Sequence, residues 1–316
     1  MEPVTKHIIL GAGGAIGSVL TNELLMQGVK VRLVSRREQG LPGAESTRAD
    51  LTDARQTSDA IENSAIVYLL AGLPYRTSVW QKQWPKIMHN VVAACQTKNA
   101  RLVFFDNVYP YGRVEGVMTE TTPANPCSKK GEVRAQIADY LMSEVRRGGI
   151  TAMIARSADF YGPYAEKTSV PFMLVFDRLA KGRKAQWLVN PKVKHSYTNT
   201  GDCGKALYHL ATTESAYNQV WHLPTASPAL TGEEFVKIVA QKLGASPDLL
   251  VLKKWMIKLA GTFNPLIGEL YEMLYQNEFD YVFDSSRFEN HFHNLPTPYE
   301  KGIGQTIDFF RRTSTS

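Results

Sequence analysis

Across the first 160 residues, short apolar runs alternate with longer stretches in which apolar residues return every third or fourth position. The runs at His7–Leu10, Val29–Val34, Ala65–Ala71, Arg101–Phe105 and Thr151–Ala155 are short, largely apolar and bounded by Gly, Asp, Asn or Arg. That is the pattern of strands covered on both faces of a parallel sheet. Between them, Ile16, Leu20 and Leu24 lie four apart and are followed by Gly28, a C-terminal stop. Ile87, Val91 and Cys95 repeat that spacing after Pro85, as do Val133, Ile137, Leu141 and Val145 before Gly148-Gly149. Strand–helix alternation of this kind predicts right-handed βαβ units, and hence an α/β, doubly wound Rossmann-type parallel sheet.

The second half is less regular. Thr231-Gly-Glu-Glu234 has the form of a capping box and opens a helix carrying Phe235, Ile238 and Val239 that stops at Gly244. Val220–Leu223 reads as one more strand, and the prolines at 163–171, 191 and 296–298 mark loops. The expected organisation is a cofactor-binding domain over residues 1–164, with 196–225 contributing a late strand and helix. Residues 165–195 and 226–316 are then a smaller substrate-binding lobe.

A chain of 316 residues buries a full core without disulfide or metal staples. Gly and Pro together are 39 of those residues, too few for a low-complexity chain. The three cysteines, Cys95, Cys127 and Cys203, are odd in number and far apart, which suits free thiols in a reducing cytoplasm. The first apolar run begins at His7, leaving no room for a signal peptide, so a cytoplasmic protein is expected. The net charge of +6 is scattered rather than blocked; it suits an anionic cofactor or substrate and disfavours dedicated nucleic-acid binding. No apolar run is long enough to span a membrane. The most apolar late segment, Trp255 to Tyr275, carries Lys258, Asn264, Pro265, Glu269 and Glu272. It is expected to form packed amphipathic helices rather than a membrane-surface helix, so no membrane partner is expected.

Chemistry enters at Leu10-Gly11-Ala12-Gly13-Gly14-Ala15-Ile16-Gly17, between the first strand and the first helix. A glycine at the strand end permits a tight turn, one without Cβ lets backbone approach a pyrophosphate, and the helix start offers free N–H groups to the anion. Strand, loop and helix occur in the order dinucleotide binding requires.

The spacing Gly11-x-x-Gly14-x-x-Gly17, with Gly13 additional, resembles the short-chain dehydrogenase/reductase superfamily, in particular its extended branch, the NAD-dependent epimerase/dehydratase family. Asp50-Leu51 matches the family's acidic residue after the third strand, which contacts adenine, and Leu70-Ala71-Gly72 falls where the fourth strand lines the cofactor. Arg156-Ser-Ala-Asp-Phe-Tyr161-Gly162-Pro163 is similar to the family segment after the sixth strand, and His195 to Ala206 to a later one. The resemblance runs in order from residue 7 to about 225. It implies a nicotinamide dinucleotide, Tyr161 near the nicotinamide, and a small-molecule substrate, often a nucleotide sugar and otherwise a small carbonyl or hydroxyl compound. Family members often form dimers, which makes a homodimer the macromolecular partner to test for.

Cofactor choice turns on Val34-Ser35-Arg36-Arg37. An acidic residue there would chelate the adenosine ribose diol and select NAD; Ser35 and Arg36 instead suit a 2′-phosphate. The expected cofactor is NADP, with NAD second.

The family's catalytic pattern is a Ser or Thr followed by Tyr-x-x-x-Lys, in which Lys lowers the Tyr pKa and Tyr exchanges the substrate proton. Here Phe105-Asp-Asn107-Val-Tyr109-Pro-Tyr111-Gly112 places Asn107 at the Ser/Thr position. After Thr122-Pro-Ala-Asn-Pro126, Cys127 occupies the Tyr position and Gly131 the Lys position, and no Tyr-x-x-x-Lys stands near this register. Three readings stay open. Asn107, a phenol from Tyr109 or Tyr111, and Lys130 reaching the ribose would retain the chemistry, with Arg134 binding an anionic substrate. Cys127, with an ordinary thiol pKa of about 8.5, would donate the proton or merely fill the Tyr space. Alternatively the site is inert, in an NADP-binding regulator or scaffold. His291 and His293 have no partner at ligand spacing, so no metal is expected.

Overall fold

The computed structural model describes residues 5–37 and 41–313. Seven strands, β1 (His7–Leu10), β2 (Val31–Ser35), β3 (Ala44–Arg48), β4 (Ile66–Leu69), β5 (Arg101–Asn107), β6 (Ala152–Ser157) and β7 (Val220–His222), form one sheet in the order 7-6-5-4-1-2-3. Every pairing is parallel. Parallel neighbours need crossovers, and the chain supplies them as α1 (Ala15–Met26), α2 (Ala54–Ala60), α3 (Thr77–Lys98), α4 (Lys129–Arg146) and α5 (Thr200–Thr212).

The two-residue period of the strands sorts the core. Ile8, Leu10, Val67, Leu69, Leu102 and Phe104 pack under α3 and α4. Ile9, Leu33, Tyr68, Val103 and Met153 pack on the opposite face, under α1 and α5. Both faces are therefore apolar, which is why the central strands read as continuous apolar runs. Strand order reverses between β1 and β4, so the loops leaving these two strands diverge into a crevice at the carboxyl edge.

The sheet's edge departs from the sequence expectation. β3, with the sequence Ala-Glu-Ser-Thr-Arg, is half or fully exposed throughout, so no apolar run announces it; its pairing to β2 makes it a strand. The helix α2 is likewise short and mostly polar, and its one strong local signal is the Asp53 carboxylate accepting the Gln56 N–H at its N-terminus.

Beyond the sheet, α6 (Gly232–Leu243) carries the expected capping box and ends at Gly244 in the left-handed conformation. It joins α9 (Tyr299–Thr313) and the parallel pair Ala185–Leu188 with Leu249–Leu252 around Trp187, Tyr197, Phe235 and Ile303. Between them, α7 (Lys254–Phe263) and α8 (Pro265–Leu270) form a helical hairpin. Here the structure corrects the sequence reading. Ile257 is buried, but Trp255, Leu259, Phe263 and Leu266 face solvent, so only one side of the hairpin is packed. Among the described residues no helix is long and apolar enough to cross a membrane.

Candidate cofactor cleft and active site

Gly11 has φ +94°, and a Cβ on it would stand 2.5 Å from the Cα of Ala71. The loops leaving β1 and β4 touch there, backbone to backbone, and only glycine fits. A Cβ on Gly17 would meet the Ala12 carbonyl oxygen at 2.5 Å, so this glycine lets α1 start tightly against the loop. Gly14 differs. It is the N-cap of α1, its φ of −95° is ordinary, and a Cβ on it would meet nothing nearer than the Gly11 oxygen at 4.0 Å. That open space lies at a helix start with no side-chain cap and no acidic residue in its first turn. The N–H groups of Ala15, Ile16 and Gly17 lack the carbonyl partners that an interior turn provides, and Gly13 and Gly14 are exposed beside them. The cradle fits a pyrophosphate.

At the adenine end, Arg36 is exposed after β2, and the Ser35 hydroxyl donates to the Arg37 carbonyl. Asp50 accepts from the N–H and hydroxyl of Thr52 at 2.9 and 2.8 Å; these bonds hold its carboxyl below the ordinary range. Leu51 is buried, and its carbonyl accepts from the Asn90 amide at 2.9 Å, which fixes the loop after β3. Ala71 is half-buried and Gly72 exposed at the carboxyl end of β4.

Asn107 ends β5, half-buried and paired in register with Ser157. Its Oδ1 accepts the Tyr109 backbone N–H at 3.1 Å. Because that N–H needs an acceptor, the amide orientation is forced, and Nδ2 is left to donate. Tyr109 opens a short 3-10 turn, stacks on Trp80 and brings its phenol oxygen to 3.3 Å from that of Tyr75. Burial, with Tyr75 beside it, pushes the Tyr109 phenol well above its ordinary pKa.

Lys130 does not lie where the sequence reading puts it. It is completely buried, and its Nζ contacts a Glu269 carboxylate oxygen at 2.5 Å, Glu272 at 2.7 Å and the Thr77 hydroxyl at 3.0 Å. The Tyr75 ring covers it at 4.6 Å. The same two glutamates close two helix starts: Glu269 accepts from the Thr77 N–H at α3, and Glu272 from the Lys129 N–H at α4. Burial raises the Glu269 carboxyl, but the bonds from Lys130 and Thr77 outweigh it and leave the pKa lowered. The amine is thus consumed by α8 and the turn after it, instead of standing free for a ribose. Tyr75, Thr77, Glu269 and Glu272 escape a reading by sequence position. The one available signal is a pair of acids three apart inside an apolar helical segment.

Three further expectations are corrected. Arg134 is not open to an anionic substrate: it and Arg156 bind the two oxygens of fully buried Asp106, at 2.8 and 3.1 Å through their Nε atoms. Tyr111 is buried, with its hydroxyl 2.7 Å from His222 Nε2, and offers no phenol to a cleft. Tyr161 is 1% exposed, packed against Phe235 and Tyr299 in the apolar cluster around α6 and α9, and presents no free face to a cofactor. Cys127, in contrast, is exposed just before α4, near Tyr275 and Tyr281.

The fold is that of known nucleotide-sugar enzymes. It matches the UDP-glucose 4-epimerase of Thermus thermophilus, solved with NAD, at TM-score 0.79 and 18% identity, over 97% of this chain and 99% of that one. The dTDP-glucose 4,6-dehydratase of Bacillus anthracis, also with NAD, gives 0.81 at 13% identity over 98% of both chains. The DesIV dehydratase of Streptomyces venezuelae gives 0.81 at 16% identity over the same shares. Identities this low speak for the fold. No curated protein sequence matches the chain significantly. The model of one family covers residues 7–221, from β1 to β7, including the glycine cradle and the end of β5: the chain belongs to the NAD dependent epimerase/dehydratase family.

Proposed function

We propose that this chain is an NADP-preferring oxidoreductase or epimerase-type enzyme whose substrate is a small carbonyl or hydroxyl compound, nucleotide sugars included. The observation that carries this reading is the pinned Asn107 amide at the carboxyl end of β5, whose Nδ2 is left to donate, followed two residues later by Tyr109 with its phenol against that of Tyr75. Gly11, Gly13, Gly14, Ala15, Ile16 and Gly17 would hold the pyrophosphate, Asp50 and Leu51 the adenine, Ser35 and Arg36 a 2′-phosphate, and Ala71 and Gly72 the middle of the cofactor. The bound nicotinamide would supply hydride transfer.

The protein's own part is to hold and polarise the substrate oxygen. Asn107 Nδ2 donates to it. Tyr109 stays protonated through neutral pH and gives a second hydrogen bond, with Tyr75 behind it. Two neutral donors on one oxygen stabilise the charge that develops there in the transition state. Lys130 acts at one remove, fixing Tyr75 through its ring contact. Residues 165–195 and 226–316 supply the substrate-binding lobe, and the likeness to a UDP-glucose 4-epimerase and to dTDP-glucose 4,6-dehydratases solved with NAD supports that substrate class.

A second reading, a cofactor-binding regulator without turnover, is favoured by the burial of Lys130 under two carboxylates. Protein incubated with NADPH or NADH and a panel of aldehydes, ketones and nucleotide sugars separates the two, by nicotinamide absorbance and product isomerisation. The enzyme reading expects turnover that falls about a hundredfold or more in Asn107→Ala, and also falls in Tyr109→Phe, with cofactor affinity kept. Turnover indifferent to both changes overturns the site assignment. Cofactor binding with no turnover across the panel favours the regulator.

A further inference from the structure

Among the described residues, nothing covers the outer side of the α7–α8 hairpin. Trp255, Leu259 and Phe263 lie four residues apart and form one row along α7, and Leu266, also exposed, follows at the start of α8. Trp255 is 64% exposed and Phe263 84%, far beyond what scattered surface apolar residues require.

Charge on this hairpin is one-sided. From Lys253 to Phe263 the sequence holds three lysines and no acid. Lys253 and Lys258 are exposed; Lys254 is half-buried and paired with Glu278 at 2.5 Å. The acids that follow, Glu269 and Glu272, turn inward onto Lys130, Thr77 and Lys129. The outward side of α7 is therefore apolar and cationic together. On the helical wheel, Lys258 stands beside the Trp255–Leu259–Phe263 arc, where its aliphatic stem can lie along apolar groups while the ammonium reaches outward.

We infer that this face docks on an anionic lipid surface, with Trp255, Leu259, Phe263 and Leu266 entering the interface and Lys253 and Lys258 meeting lipid headgroups. Large apolar side chains on one flank, lysines on its border and a marked amphipathic contrast are the features of a helix that lies in the plane of a membrane without crossing it. A second copy fits less well, since a two-fold contact through this row would bring the lysines of both copies together. The same hairpin binds Lys130 on its inner side through Glu269, so the lipid-facing surface and that buried ion pair belong to one element.

Vesicle cosedimentation of the whole chain tests this, using phosphatidylcholine alone and phosphatidylcholine with about 30 mol % phosphatidylserine. Binding is expected to the anionic vesicles, to weaken with salt, and to come with a blue shift of tryptophan fluorescence that Trp255→Ser removes. Trp255→Ser/Phe263→Ser should lower partitioning about tenfold or more, and Lys253→Gln/Lys258→Gln about thirty-fold at low salt. All four positions are exposed or outward, and unchanged circular dichroism verifies folding. Equal binding to both vesicle types, or none to either, overturns the inference. So does a concentration-dependent dimer in sedimentation velocity that Phe263→Ser dissociates, or an acidic protein retained through this face while vesicles are ignored.

Discussion

The Lys130 ammonium lies 2.5 Å from a carboxylate oxygen of Glu269, a residue 139 positions later in the chain. This contact ties the start of α4 to α8 and occupies the amine nearest to the family's lysine position. Lys130→Met should therefore act on stability more than on cofactor binding. Each glutamate side chain is about a quarter exposed, so water compensates part of the loss, and a cost of about 2 kcal/mol is expected by urea unfolding. An NADPH affinity that collapses in this variant while stability holds would return Lys130 to the cofactor.

Asp106 is the opposite case, a carboxylate with no exposure between two arginines. Asp106→Ala leaves two guanidinium groups buried without a counter-charge. Removing one member of such a buried group costs about 3–5 kcal/mol, so chemical denaturation should show a loss large enough to threaten folding at physiological temperature. A change under about 1 kcal/mol would mean that water reaches this network.

The glycines of the loop should separate by what a methyl group would meet. Gly17→Ala drives Cβ against the Ala12 backbone and should lower the melting temperature. Gly14→Ala meets only open space at an ordinary φ, so stability should hold while affinity for the dinucleotide falls about tenfold or more. Isothermal titration beside a thermal melt distinguishes the two, and equal effects in both variants would count against Gly14 as part of the cradle.

For the cofactor, Arg36→Ala should weaken NADPH about tenfold or more while leaving NADH nearly unchanged, since only NADPH carries the 2′-phosphate. Fluorescence titration with both dinucleotides measures the ratio. Equal weakening of the two would make Arg36 an adenine contact alone.

Stability should fall on mild acidification. Burial pushes His222 down to about 3 and His7 to about 4, from an ordinary value of about 6.5. Above that ordinary value both are neutral in either state. Below it the unfolded chain takes up protons that the folded chain refuses, so stability is lost as pH falls towards the folded values. Each histidine contributes a slope of about 1.4 kcal/mol per pH unit within that window. Urea unfolding at several pH values between about 6.5 and 5 should show this slope, reduced by one group's share in His222→Gln. A profile that is flat there in the unmodified protein would mean that both His222 and His7 take up protons in the fold.

The central strands and the crossover helices α1, α3 and α4 were legible because their apolar faces repeat with the period of the element that buries them. The glycine cradle was legible because its constraint is local: turn, close approach and helix start all fall within Gly11 to Gly17. Polar β3 was not, because an edge strand is made by pairing rather than by its own sequence. Asn107 and Tyr109 could be placed at a strand end, but not the hydrogen bond that fixes the Asn107 amide.

What only the tertiary structure decided is where the charged side chains go. Lys130, Arg134 and Arg156 look alike as free cations in a basic chain, yet each is held by a carboxylate on a segment remote in sequence. A buried charge is stable only beside a partner, and chain folding alone brings that partner within reach. Conversely, the row from Trp255 to Phe263 has the apolar period of a packed helix and stays exposed among the described residues, because a period specifies an apolar face without specifying what lies against it.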